Sequence, residues 1–205
     1  MLIESAYGKF KYILHKPNNN DNLPLIIILH GSGEIGNNLS KLKKREPYLS
    51  LKNGKCFPNA VILMPQLPKK TWSNYKTELK ALIDHIVETQ NCDILKISIT
   101  GHSLGANGVL DMLLTYSDYF SAASVLSPCK DIKNKIEEIA YIPIWFLAGE
   151  KEHNYKKYAQ NMYNQLKKLD GITKLTLVPK YGHPIQFTWV SNQYNMFNWL
   201  TEFEN

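Results

Sequence analysis

"ITGHSLGANGVLDMLL", Ile99 to Leu114, sets two glycines, Gly101 and Gly105, on either side of Ser103, where an apolar run gives way to a helical pattern. The run before it, "ILKISIT", is rich in β-branched residues. After it, Ala106, Val109, Leu110, Leu113 and Leu114 recur three and four residues apart, the spacing of one face of a helix. A serine at the turn of G-x-S-x-G takes an unfavourable backbone angle, and small flanking residues let the helix pack on the strand. At that helix N-terminus the Leu104 N–H and the positive end of the dipole would face a developing oxyanion. The corner reads as a device that holds Ser103 exposed as a nucleophile.

Working outward, short apolar runs recur at Leu25–Leu29, Ala60–Met64, Lys96–Thr100, Ala122–Leu126, Ile144–Ala148 and Lys174–Val178. Most are continuously apolar, as suits strands covered on both faces. Helical periodicity lies between them. It appears in Leu79, Leu82, Ile83, Ile86 and Val87, in Ala159, Met162, Tyr163 and Leu166, and in Met196, Trp199, Leu200 and Phe203. "NNNDN", Asn18 to Asn22, reads as a polar turn between two strand-like runs. The alternation predicts an α/β protein, a single domain over residues 1–205, with a mainly parallel sheet of about seven or eight strands flanked by helices. In such sheets ligands bind beyond the carboxyl ends of the strands, where Ser103 would sit.

Composition narrows the function classes. A net charge of +6 raises the question of nucleic acid, with "KLKKRE" as the strongest stretch, but Arg45 is the only arginine in the 205 residues. Bidentate reading of phosphates and base edges favours arginine, and the lysines are interleaved with glutamates, so no nucleic-acid partner is expected. The longest apolar run, "LIIILH", is strand-sized, so no membrane association is expected, and the first residues lack the pattern of a signal peptide. Three scattered cysteines, Cys56, Cys92 and Cys129, form no CxxC pair. They predict reduced thiols in a cytoplasmic protein, neither a disulfide framework nor a metal site.

A serine hydroxyl needs a base to take its proton. Of six histidines, His183 in "VPKYGHPIQF" follows the last strand-like run and could reach the sheet edge of Ser103; His153 is the rival. The imidazole needs a carboxylate to fix its tautomer. "PIWFLAGEKEHNY" offers Glu152 and, two residues earlier, Glu150. The order Ser103, Glu152, His183 is that of nucleophile, acid and base in α/β-hydrolases. For a second oxyanion donor, "LHGSGEIG" supplies Ser32 or Gly33 just after an apolar strand.

With these residues assembled, the chain resembles the α/β-hydrolase superfamily, and most closely small esterases and peptidases whose oxyanion strand reads "LHGxGERG". Leu29 to Glu34, "LMPQLPKKTW" from Leu63 to Trp72, "GHSLGANGVLDM", "AGEKE" and "YGH" carry the likeness. Ile35 stands where the family usually has arginine, and Glu152 where it usually has aspartate. The resemblance implies an α/β-hydrolase fold with catalytic Ser103, Glu152 and His183 and oxyanion donors among Ser32, Gly33 and Leu104. It implies a carboxylesterase acting on small accessible esters through an acyl-enzyme, with no cofactor. A small peptidase, a thioesterase and a binding protein on the same scaffold remain open, as does the oligomeric state. Between Leu126 and Ile144 there is room for a turn and a short helix but no large cap domain. Short acyl groups are therefore expected, with Trp72, Tyr155 and Phe187 available for a shallow wall.

Overall fold

Leu25, Ile27 and Leu29 point to one side of their strand and Ile26 and Ile28 to the other, and all five are buried. Side chains alternate across a strand, so a run apolar at every position must be covered on both faces. A computed structural model, describing residues 1–17, 22–55 and 59–205, shows how that is done. Strands β1 (Leu2–Tyr7), β2 (Phe10–His15), β3 (Leu23–Leu29), β4 (Val61–Gln66), β5 (Cys92–His102), β6 (Ala122–Leu126), β7 (Ile144–Gly149) and β8 (Thr173–Val178) form one sheet in the order β1-β2-β4-β3-β5-β6-β7-β8. From β4 through β3 to β8 neighbours run parallel, and β1 and β2 join antiparallel.

The helices are α1 (Tyr48–Lys52), α2 (Lys76–Gln90), α3 (Leu104–Leu113), α4 (Asn154–Lys168) and α5 (Met196–Leu200). On one face, Leu25, Ile27, Leu63, Ile99 and Val125 pack with Leu82 and Ile86 of α2, Val109 and Leu113 of α3, and Met162 and Leu166 of α4. On the other, Ile26, Ile28, Ile62 and Leu126 pack with Leu51 of α1, Trp189, and Met196 and Leu200 of α5.

Three elements differ from the sequence reading. β1 carries no apolar signature, because it is the outermost strand with four of six side chains exposed; its place comes from pairing with β2. The last helix stops at Leu200 instead of reaching Phe203, whose ring packs on Trp199 at 5.0 Å. β8 is an edge strand, buried fully only at Val178. Of the turn expected at Asn18 to Asn22 only Asn22 is described, and Cys56 also lies outside the described residues. Between β6 and β7 the chain makes a single 3₁₀ segment, Lys133–Ile139, and no cap domain.

The corner after β5 is closed by contact. A methyl on Gly105 would overlap the backbone carbonyl of Leu29, and one on Gly101 would overlap that of Gly105. Both obstacles are backbone, so neither can yield as a flexible side chain would. Gly33, by contrast, has open space where a methyl would go. Gly105→Ala is expected to cost about 3 kcal/mol or more, and Gly33→Ala no more than about 0.5 kcal/mol. Urea denaturation midpoints of the two variants beside the parent protein check this ordering.

Candidate active site

Five loops leave the carboxyl ends of β3, β5, β6, β7 and β8 along one sheet edge, and each brings one part of the site. After β5, Ser103 sits at the head of α3 with φ 58° and ψ −116°. A left-handed angle is costly for a residue with a Cβ, so the surroundings must impose it. They do so through the glycine contacts above and through the Ser103 N–H, which donates to the Leu126 carbonyl at 2.9 Å.

After β8, His183 presents Nε2 to Ser103 Oγ at 2.9 Å and donates from Nδ1 to Glu152 Oε1 at 2.5 Å. Glu152, on the loop after β7, is 5% exposed. Its other oxygen, Oε2, accepts the Ser127 hydroxyl at 2.7 Å and the Gly149 N–H at 2.7 Å. Burial opposes ionisation of this carboxyl, but the hydrogen bonds from His183, Ser127 and Gly149 outweigh it and hold it below the ordinary carboxylate value. Glu150, two residues earlier, turns outward and accepts the Lys180 N–H at 2.9 Å. His153 is exposed at the start of α4. The structure thus brings Ser103, His183 and Glu152 together and leaves Glu150 and His153 apart from Ser103.

Ser32 and Gly33 lie in a 3₁₀ turn, Ser32–Glu34, directly after β3, the strand alongside β5 with Leu29 opposite Gly101. The first N–H groups of such a turn have no partner within it, and the same holds for the Leu104 N–H at the start of α3. The turn is anchored beneath. Gln66 donates to the carbonyls of Glu34 at 2.8 Å and Asn38 at 2.9 Å. Arg45 Nε donates to Glu34 Oε1 at 3.0 Å, which gives the lone arginine a structural partner. Trp72, 1% exposed, donates to the His30 carbonyl at 3.1 Å. It is a core residue and not part of a substrate wall. Phe187 packs against Tyr181 and Tyr194.

Several neighbours escape sequence reading. His102 donates from Nε2 to the His183 carbonyl at 2.7 Å and accepts from Gln186 at Nδ1, 3.1 Å away. It sat inside the G-x-S-x-G motif, where nothing singled out its side chain. Cys129 places Sγ 3.7 Å from Ser103 Oγ, and its N–H donates to Asn107 Oδ1 at 2.9 Å. Tyr155 covers the His183 ring at 4.7 Å between centroids. Tyr155 is expected from the sequence as part of a shallow wall, but no local pattern marks Ser127 or Cys129, since each matters only through a contact distant in sequence.

A family model described as "Putative esterase" matches residues 4–184. Among solved structures, the chain is similar to a thermostable esterase, with a TM-score of 0.79 at 20% identity, covering 100% of this chain and 63% of that one. The chain thus spans less than two thirds of that esterase's length. It is similar to a ferulic acid esterase, with a TM-score of 0.75 at 15% identity and 98% of each chain covered. The fluorophosphonate-binding serine hydrolase F of Staphylococcus aureus, substrate bound, gives 0.73 at 12% identity, again over 98% of each chain. No curated protein matches the chain. At these identities the structural likeness is one of fold, the α/β-hydrolase fold.

The buried histidines make stability depend on pH. Burial pushes His15, His30 and His102 down to about 4, and His183 beside His102 adds to the shift there. His30 is satisfied as a neutral ring, accepting the Leu67 N–H at Nε2 and meeting the Gly31 carbonyl at Nδ1. A histidine lowered in the folded state binds protons more readily when unfolded, so stability is lost as pH falls from about 6.5 toward 4. From pH 7 to pH 5 the loss is about 2 kcal/mol for each of the three. Glu152 adds a loss in the same sense at more acidic pH. Urea midpoints at pH 7 and 5 should fall steeply for the parent protein and less for His102→Asn.

Proposed function

Since this chain belongs to the esterase family, we propose that it is a serine carboxylesterase in which Ser103 is the nucleophile, His183 the base and Glu152 the acid. The observation that carries this reading is the unbroken hydrogen-bond relay, Ser103 Oγ to His183 Nε2 at 2.9 Å and His183 Nδ1 to Glu152 Oε1 at 2.5 Å. Ser103 Oγ attacks the ester carbonyl while its proton passes to His183 Nε2. The Leu104 N–H and that of Ser32 or Gly33 hold the oxyanion, and Glu152 stabilises the imidazolium. The carbon–oxygen bond then breaks, the alcohol departs with the proton from Nε2, and an acyl-enzyme remains. A water molecule attacks by the same route in reverse order, giving the carboxylic acid and restoring Ser103.

One eight-stranded sheet spanning Leu2 to Val178 supports the reading of residues 1–205 as a single domain. Among the described residues, no helix is long and apolar enough to cross a membrane. The described cysteines are free thiols, and the odd number and scatter of the three cysteines support a reducing, cytoplasmic setting. A small-molecule ester is the proposed substrate, with no nucleic-acid partner.

Ser103→Ala tests the assignment. It should fold as the parent does, hydrolyse 4-nitrophenyl acetate at no more than about 10⁻² of the parent rate, and lose labelling by a fluorophosphonate. Parent-like turnover by the purified variant would sink the mechanism. Glu152→Gln should lower kcat by roughly 10²–10⁴, whereas Glu150→Gln should lower it by less than about tenfold. Glu152→Asp is expected to lose about 10- to 10²-fold, despite aspartate being usual in the family. With Oε2 held by Ser127 and Gly149, the shorter side chain cannot keep both those bonds and the one to His183.

A further inference from the structure

Two clefts border the loops that carry the site, and they differ in size. The first is a slot of about 30 Å³. Gly31, His102 and Gln186, each within three residues of Ser32, Ser103 or His183, line its site end. Its floor is made of Ile28, Met64 and Trp189, all 4% exposed or less, with Leu42 beside them at 6%. The second is an open cleft of about 430 Å³ lined by Cys129, Glu152, Tyr155 and Tyr158. It borders the reacting atoms, because Cys129 Sγ is 3.7 Å from Ser103 Oγ and Tyr155 covers His183.

We propose that these clefts divide the ester between them, so that the substrates are short-chain acyl esters of bulky aromatic alcohols. This rests on the serine-esterase reading and adds the orientation of the substrate. The acyl group stays bound to Ser103 between the two half-reactions. The alcohol must leave, and water must enter along the alcohol's path to be activated by His183. The slot, though also lined by the exposed Arg45, is narrow and floored by the buried core, so it suits the acyl group that stays behind. The open cleft beside His183 and Tyr155 is where the alcohol receives its proton and departs.

Size then sets each half of the substrate. A cavity needs on the order of 10–15 Å³ to hold one water, so the slot admits about two or three heavy atoms, an acetyl to butyryl chain. The tyrosines offer ring faces on the alcohol side, where an aromatic group gains offset or edge-on contact as well as burial.

Benzyl acetate and methyl phenylacetate are isomers with similar alkoxide leaving groups, one with the ring on the alcohol and one with the ring on the acid. kcat/KM of the full chain should favour benzyl acetate by at least about tenfold. Tyr158→Leu should lower kcat/KM for benzyl acetate about three- to tenfold and that for ethyl acetate by a smaller factor, so that the benzyl-to-ethyl ratio falls. Leu42→Ala should raise octanoate relative to acetate in the 4-nitrophenyl series. A preference for methyl phenylacetate, in an enzyme whose Ser103 still labels with a fluorophosphonate, would overturn the orientation while the serine-esterase reading stands. Absence of both labelling and hydrolysis would remove that reading, and the orientation with it.

Discussion

The site depends on one close approach, the backbone of α3 lying directly on the end of β3. There is no room at Gly105 for a methyl group beside the Leu29 carbonyl. Because the two backbones touch, the chain between β5 and α3 must turn within a few residues, and Ser103 is driven into the left-handed region with φ 58°. The strain is local, and the sheet and helix on either side are both buried, so the packing of a whole core face holds it. The same contact sets the head of α3 beside the turn at Ser32–Glu34, so two sources of free N–H groups come from one packing decision.

The loops that carry Glu152 and His183 meet by a similar device. A methyl at Gly149 would overlap the Gly182 and Tyr181 carbonyls, so the loop after β7 presses on the loop after β8 without side chains between them. Lys151 N–H bonds the Tyr181 carbonyl at 2.9 Å and Glu150 N–H the Val178 carbonyl at 3.0 Å. His102 grips the His183 loop from the other side through the His183 carbonyl. The imidazole is therefore positioned by backbone on both flanks. A glutamate can stand where aspartate is usual because Ser127 and Gly149 take up its extra reach at Oε2.

The two clefts proposed for the substrate differ in size. The floor of the slot is the core itself, where Ile28 and Met64 emerge from the same strands that carry the Ser32–Glu34 turn and its anchor Gln66. The open side is bordered by the short connection from β6 to β7, which carries Cys129 to 3.7 Å from Ser103 and Ser127 to Glu152.

Much of this was legible in the sequence because it is short-range. The continuous apolar runs, the helical period after Ser103 and the glycines at the corner each report a local conformation, and together they imply a parallel sheet with its ligand edge at Ser103. The choice between Glu152 and Glu150 was not legible, since both lie on the same loop two residues apart. The structure turns Glu152 inward to His183, 31 positions away, and Glu150 outward to Lys180. The same is true of Ser127 and Cys129, whereas His183 is favoured over His153 by its place after the last strand-like run. β1 was missed for the complementary reason, being an edge strand whose exposed side chains need no apolar pattern. Sequence by itself determined which conformations the segments adopt, because propensity and periodicity act over a few residues. Only the tertiary structure decided which side chains meet, because the lateral order of the strands brings together residues that no local pattern relates.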